Sequence, residues 1–238
     1  MDKKYLVLPI QMVGSRKKHS MIFLWIASYG LVYALANCLP RGKYPWAVSL
    51  AMIGYSATLI LWVFRTGQAR RLGLCAPRNI RCSRLLPLLT LPVCNLLSAE
   101  AFPPPLPTFL LMLAVCATEE LFFRGFLLRF LMRFGAVPAI LLSSVVFALF
   151  HLVNLAAGSV IYTLAQVFCA LAAGICFAAA TVLTGSLLPG FAAHFLSNIT
   201  AAPVPSDPAP LLWLCIVLYG CYGAVLCKQL SVNKERVT

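Results

Sequence analysis

Residues 134–206 contain no Asp, Glu, Lys or Arg. About a quarter of the residues of a soluble domain are charged, so a stretch of this length without charge is built for a solvent other than water. Runs of about 20 apolar residues are what a helix needs to cross the hydrocarbon core of a bilayer. The whole chain follows the same pattern: 61% of its 238 residues are hydrophobic and 11% charged. In hydrocarbon every backbone polar group must be satisfied internally, so the fold class expected is an all-α polytopic membrane bundle.

Apolar runs broken by Pro, Gly or basic residues give eight candidate spans, near 21–39, 46–64, 85–99, 107–133, 135–156, 159–184, 186–203 and 209–228. The third is short and carries Pro87 and Pro92, which predicts a kink or a tilt. FPPPLP (102–107) and PVPSDPAP (203–210) read as rigid connections outside the hydrocarbon. The basic segment RKKH (16–19) precedes a run long enough to span, so an uncleaved first helix is expected rather than a signal peptide. No internal repeat is visible, and residues 1–238 read as one membrane domain.

The net charge of +13 raises the question of nucleic acid, and the distribution answers it. With eight spans and the N-terminus inside, sixteen of the 19 Lys and Arg residues fall on the cytoplasmic side. Arg41 and Lys43 lie outside and Arg124 lies within a span. That bias predicts both termini in the cytoplasm. It leaves no basic and aromatic patch for a nucleic-acid partner. The ten cysteines are scattered singly without a C-x-x-C pair, so neither a disulfide frame nor a zinc site follows from them.

Against this background ATEELFFRGF (117–126) stands out, because Glu119, Glu120 and Arg124 sit inside an apolar run. Each ionisable group at the centre of a span costs about 2.5–3.5 kcal/mol on insertion scales, and such groups mark functional sites or pair with one another. Residues four apart share a helical face, whereas residues five apart diverge by about 140°. Glu120 and Arg124 are therefore expected to form an ion pair, with Glu119 turned away and available to the bundle interior. Two of the three histidines fall in the uncharged stretch. FALFH puts Phe147 one turn from His151, with Asn154 further along that face, and HFLSN puts His194 over Asn198. Three spans thus carry one polar stripe each, and lipid drives such stripes together inside the bundle.

A carboxylate with two imidazoles and a carboxamide suits activation of water against a carbonyl group, with an amide and an imidazole to stabilise the oxyanion. There is no nucleophile elbow and no HExxH, and the absence of Asp from the core argues against an aspartyl dyad. Two other classes fit less well. A peptide-binding immunity or scaffold protein has no need of a water-activating carboxylate, and a proton-coupled transporter lacks the expected inverted repeat.

EELFFRG (119–125), FALFH (147–151) and HFLSN (194–198) resemble the EExxxR, FxxxH and HxxxN motifs of the type II CAAX prenyl endopeptidase family, also known as CPBP or Abi proteins. The resemblance covers about 107–200. It implies an eight-helix intramembrane endopeptidase in which Glu119 and His151 activate water and His194 and Asn198 form the oxyanion pocket. Glu120, Arg124, Phe147 and Asn154 would support them. It further implies a membrane-associated protein or peptide as substrate: a prenylated C-terminus, a peptide pheromone or a tail with a hydrophobic anchor. Some members are linked instead to bacteriocin immunity. The expected location is the plasma membrane of a bacterium, where a peptide or tail is the favoured substrate. The metal-free glutamate mechanism is preferred and no cofactor is expected. The alternative is a zinc site made by Glu119, His151 and His194.

Overall fold

A computed structural model describes residues 27–32, 45–78, 82–98, 104–156, 159–201 and 210–235. Every regular element among these residues is helical. In chain order they are α1 (27–32), α2 (Pro45–Arg65), α3 (Thr90–Ser98), α4 (Leu106–Glu120), α5 (Leu128–Leu131), α6 (Ala136–Phe150), α7 (Val160–Thr184), α8 (Leu188–Thr200) and α9 (Pro210–Glu235).

Five helical stretches are long and apolar enough to cross a membrane: Trp46–Arg65, Leu106–Phe134, Ala136–Leu155, Val160–Thr184 and Pro210–Val232. They coincide with five of the eight spans expected from the sequence. Most of the first expected span lies outside the described residues, as do the connection 203–209 and part of FPPPLP. The third and seventh spans are shorter than a full crossing. In the third, a 3-10 helix (Cys82–Leu89) containing Pro87 runs into α3, and the apolar helix covers only Ser83–Leu97. Proline removes a backbone donor and clashes with the preceding turn, which favours the tighter winding. The seventh is α8, 13 residues long.

Local chemistry sets the ends of the helices. Pro105 and Pro107 open α4, where proline's missing N–H costs nothing. Ser159 caps α7 by accepting the N–H of Tyr162 at 3.2 Å, and Gly185 ends it in the left-handed region at φ 70°.

Helix α7 is the most enclosed span and packs against α6, α8 and α9. Its buried faces are made of small side chains, among them Ala172, Ala173, Gly174, Ala178, Ala179 and Ala180. Small residues let neighbouring backbones approach where lipid supplies no hydrophobic drive between helices. The closest approach is at Gly223 of α9, where a Cβ would fall 2.8 Å from Ile175 Cγ2. The outward faces expose Leu50, Phe64, Leu141, Leu142, Val217 and Val225, a surface suited to hydrocarbon. Opposite α7, α4 packs on α2 and α8, and the site forms where α4, α6, α7 and α8 face one another.

The segment after α2 folds back onto the turn between α7 and α8. Leu187 N–H donates to Gly73 O at 3.0 Å, Arg78 N–H to Thr184 O at 3.0 Å and Ser186 Oγ to Cys75 O at 2.5 Å. Buried Arg129 reaches the same turn through Nη2, 3.4 Å from Gly185 O. The start of α8 is thereby fixed from the side of the bundle that carries α2.

Candidate active site

Glu119 and Glu120 are the last two residues of α4, and the chain then winds as a π-helix over Leu121–Leu127. Such segments are rare and are frequent at functional sites. Glu120 is completely buried and pairs with Arg124 Nη1 at 3.3 Å, as i,i+4 spacing requires. Glu119 stands apart from that pair: its Oε2 faces His194 and its side chain is 13% exposed. Arg124 lies under the charge of both carboxylates, that of Glu120 foremost. Its guanidinium also rests 4.1 Å over the ring of Phe147 and 5.7 Å from that of Phe177. Two aromatic faces and a carboxylate together compensate a buried cation better than either alone.

His194 of α8 bridges the two glutamates. Its Nδ1 stands 2.9 Å from Glu120 Oε1 and its Nε2 stands 3.7 Å from Glu119 Oε2. An imidazole with a carboxylate at each nitrogen has a fixed ring plane, and in its protonated form it can donate in both directions. One turn on, Asn198 Nδ2 lies 3.4 Å from His194 Nε2 and donates to Cys116 Sγ at 3.2 Å. Stacking of His194 on Phe177, with centroids 5.9 Å apart, holds the ring from behind.

His151 ends α6 and begins a 3-10 turn, His151–Ala156. Its Nδ1 is 3.1 Å from the carbonyl oxygen of Phe147. Donation there leaves Nε2 of the neutral ring as an acceptor. The Phe147 ring stands edge-on to both histidines, with centroids 4.9 Å from His151 and 5.6 Å from His194. Glu119, His194 and Arg124 are all electrostatic neighbours of His151. Asn154 shares the face of His151, since i and i+3 eclipse in a 3-10 helix. Its side chain is engaged elsewhere, donating to Gln166 Oε1 of α7 at 3.1 Å.

The structure therefore gathers Glu119, Glu120, Arg124, Phe147, His194 and Asn198 directly, holds His151 against Phe147, and uses Asn154 to tie the 3-10 turn to α7. The zinc alternative fares differently. Among the described residues no three His, Cys, Asp or Glu side chains form a group that could hold a metal ion. The Phe147 ring stands against both imidazoles, and His194 Nδ1 is committed to Glu120. Glu119, His151 and His194 as arranged do not make a ligand set.

Four neighbours had no signal in the sequence: Tyr29, Cys116, Gln166 and Phe177. The phenol of Tyr29 in α1 donates to Glu119 Oε1 at 2.7 Å. A tyrosine in an apolar run, 90 residues away from its partner, offers no spacing rule that could reveal the contact.

Residues 101–200 match the family model described as type II CAAX prenyl endopeptidase Rce1-like. All the motif residues lie within that segment. No curated protein and no solved structure matches the chain significantly.

Proposed function

We propose, from the premise that the chain belongs through residues 101–200 to the type II CAAX prenyl endopeptidase family, that it cleaves a peptide bond in a membrane-associated protein or peptide with water activated by Glu119. The observation that carries this reading is the row formed by Glu119 Oε2, His194 Nε2 and Asn198 Nδ2. Its successive separations are 3.7 and 3.4 Å, and it unites side chains from α4 and α8.

In the proposed reaction, Glu119 Oε2 takes a proton from water while its oxygen attacks the scissile carbonyl carbon. The acceptor nitrogen Nε2 of His151 orients the same water. Negative charge then develops on the carbonyl oxygen. Asn198 Nδ2 and protonated His194 are adjacent donors that can cradle one oxygen, the geometry an oxyanion requires. Collapse breaks the C–N bond, and the proton held by Glu119 passes to the departing amine. Glu120 and Arg124 do not touch the substrate in this scheme. Glu120 orients His194 through Nδ1, and Arg124 neutralises Glu120. No step passes through a metal.

The coarser architecture fits: a peptide bond near the bilayer needs water and polar groups inside a helical bundle. We read the whole chain as one membrane domain of eight helices with both termini cytoplasmic, supported by the clustering of Lys and Arg at the ends expected to face inward. The plasma membrane of a bacterium, and a peptide or a hydrophobic tail as substrate, complete the proposal. The test is cleavage by the purified chain in liposomes of two probes, a quenched-fluorescence prenylated CAAX peptide and a peptide with a hydrophobic C-terminal tail, with products weighed by mass spectrometry. Wild type is expected to cut at least one probe and Glu119→Ala neither. Equal cleavage by both proteins, or by neither, removes the assignment and leaves peptide binding without hydrolysis as the reading to pursue.

A further inference from the structure

The geometry points to Tyr29 as a positioning residue that selects which oxygen of Glu119 acts as the base. This inference rests on the hydrolytic reading above and adds a residue from outside the segment that matches the family.

Tyr29 is 1% exposed, and its hydroxyl donates to Glu119 Oε1 at 2.7 Å. That is the length of a charge-assisted bond to a carboxylate. The phenol is itself seated from two sides. Its ring packs against Phe122 of the π-helix, with centroids 5.6 Å apart, and against Tyr55 of α2 at 6.0 Å. The neighbouring Ser28 Oγ bonds the Tyr55 hydroxyl at 2.9 Å. The donor thus comes from α1, held by α2 and by Phe122 of the π-helix.

A glutamate carboxylate turns broadly about its last torsion, and its two oxygens are otherwise equivalent. Donation from Tyr29 removes the equivalence. Oε1 is occupied by the phenol, while Oε2 faces His194 Nε2 at 3.7 Å. The base lone pair is then presented on the side where the oxyanion donors stand. A hydroxyl that neither reacts nor touches the substrate thereby controls the aim of the group that does. It also makes the site dependent on α1: residues 101–200 hold the reacting groups but not the side chain that orients the base.

The test compares wild type, Tyr29→Phe and Glu119→Ala in liposomes with the two probes named above, with kcat and KM measured separately. Phenylalanine keeps the ring contacts and deletes only the hydroxyl. The expected result is a fall in kcat of about tenfold, with KM changed less than about twofold. A double-mutant cycle on thermal unfolding in detergent reads the contact itself. Tyr29→Phe and Glu119→Ala together should lower Tm by less than the sum of their separate effects. Additive effects on Tm overturn the inference. So does a Tyr29→Phe enzyme with wild-type kcat beside an inactive Glu119→Ala, and so does a loss of activity no larger than the loss of folded protein. Failure of wild type to cut either probe removes the hydrolytic reading and this inference with it. The first three outcomes leave that reading standing.

Discussion

His194 Nδ1 and Glu120 Oε1 stand 2.9 Å apart in a fully buried setting, so the carboxylate that neutralises Arg124 also orients the imidazole facing Glu119. One oxygen serves both partners, since Arg124 Nη1 lies 3.3 Å from the same Oε1. Two adjacent glutamates consequently do different work. Glu120 belongs to the packing of the bundle, while the Glu119 side chain is 13% exposed and is within reach of water.

That division gives the first prediction. Glu120→Ala leaves a buried guanidinium without its carboxylate, a change that costs about 3–5 kcal/mol in folded proteins. It should lower thermal stability in detergent sharply and remove activity with it. Glu119→Ala removes a partly exposed group and should abolish cleavage with a much smaller drop in Tm. The opposite ranking of the two Tm values would reverse the roles assigned to the pair.

The second prediction concerns Phe147, which carries Arg124 on its face and both histidines at its edge. A Cβ added at Gly174 of α7 would lie 3.3 Å from Phe147 Cδ1 and 3.2 Å from Ser144 Cβ. Gly174→Ala should push that ring by a few tenths of an ångström, at a cost of about 1–3 kcal/mol for overpacking. Because three polar groups of the site lean on Phe147, kcat should fall several-fold while the protein remains folded. A kinetic assay alongside a melting curve separates the two effects. Unchanged kcat would show that the site does not depend on the placement of the ring.

Much of this arrangement was open to reading in the sequence, for physical reasons. Lipid forbids unsatisfied backbone and isolated charge, so apolar length located the five long spans, and the few polar residues within them had to mark the site. The i,i+4 rule paired Glu120 with Arg124 and stacked His194 with Asn198. What stayed hidden depended on backbone winding and on distance. Nothing in LFFRGFL distinguishes a π-helix from an α-helix. The third span was expected to be short and is, whereas the seventh was drawn too long, at 186–203 against Leu188–Thr200, because the residues flanking it are themselves apolar. The resemblance assigned Glu119 and His151 to one water, and it gave no sign that His194 Nε2 also stands 3.7 Å from Glu119 Oε2. That juxtaposition depends on how α4 and α8 pack, which neither segment encodes alone. The Tyr29 contact lay beyond any local rule.

The third prediction follows from the arrangement of Glu119, His151 and His194. These side chains do not form a ligand set, and the proposed chemistry uses only protein groups. Cleavage by the purified chain should therefore survive prolonged treatment with a strong chelator, with rates within about twofold of untreated protein, and elemental analysis should find no stoichiometric zinc. Loss of activity on chelation, restored by zinc alone, would mean that the three groups rearrange around a metal and that the glutamate mechanism is wrong.

The last prediction tests whether the segment after α2 supports the site from outside it. Gly73 adopts φ 88°, and a Cβ there would meet Arg129 Nη2 and Leu187 N, each at 3.1 Å. An alanine would be strained in that backbone region and would press on the turn that starts α8, the helix of His194 and Asn198. Strained left-handed backbone costs about 1–3 kcal/mol, and here the clash with Leu187 adds to it. Gly73→Ala should therefore lower Tm and reduce kcat together, although the residue lies in a segment that carries no motif. Gly54 of α2 provides the comparison, since its Cβ would meet nothing within 4 Å. Alanine is the better helix former by about 1 kcal/mol, so Gly54→Ala should leave Tm unchanged or raise it, with cleavage at the wild-type rate. Equal behaviour of the two variants would mean that the contact between residues 73–75 and the α7–α8 turn contributes nothing to holding α8 in place.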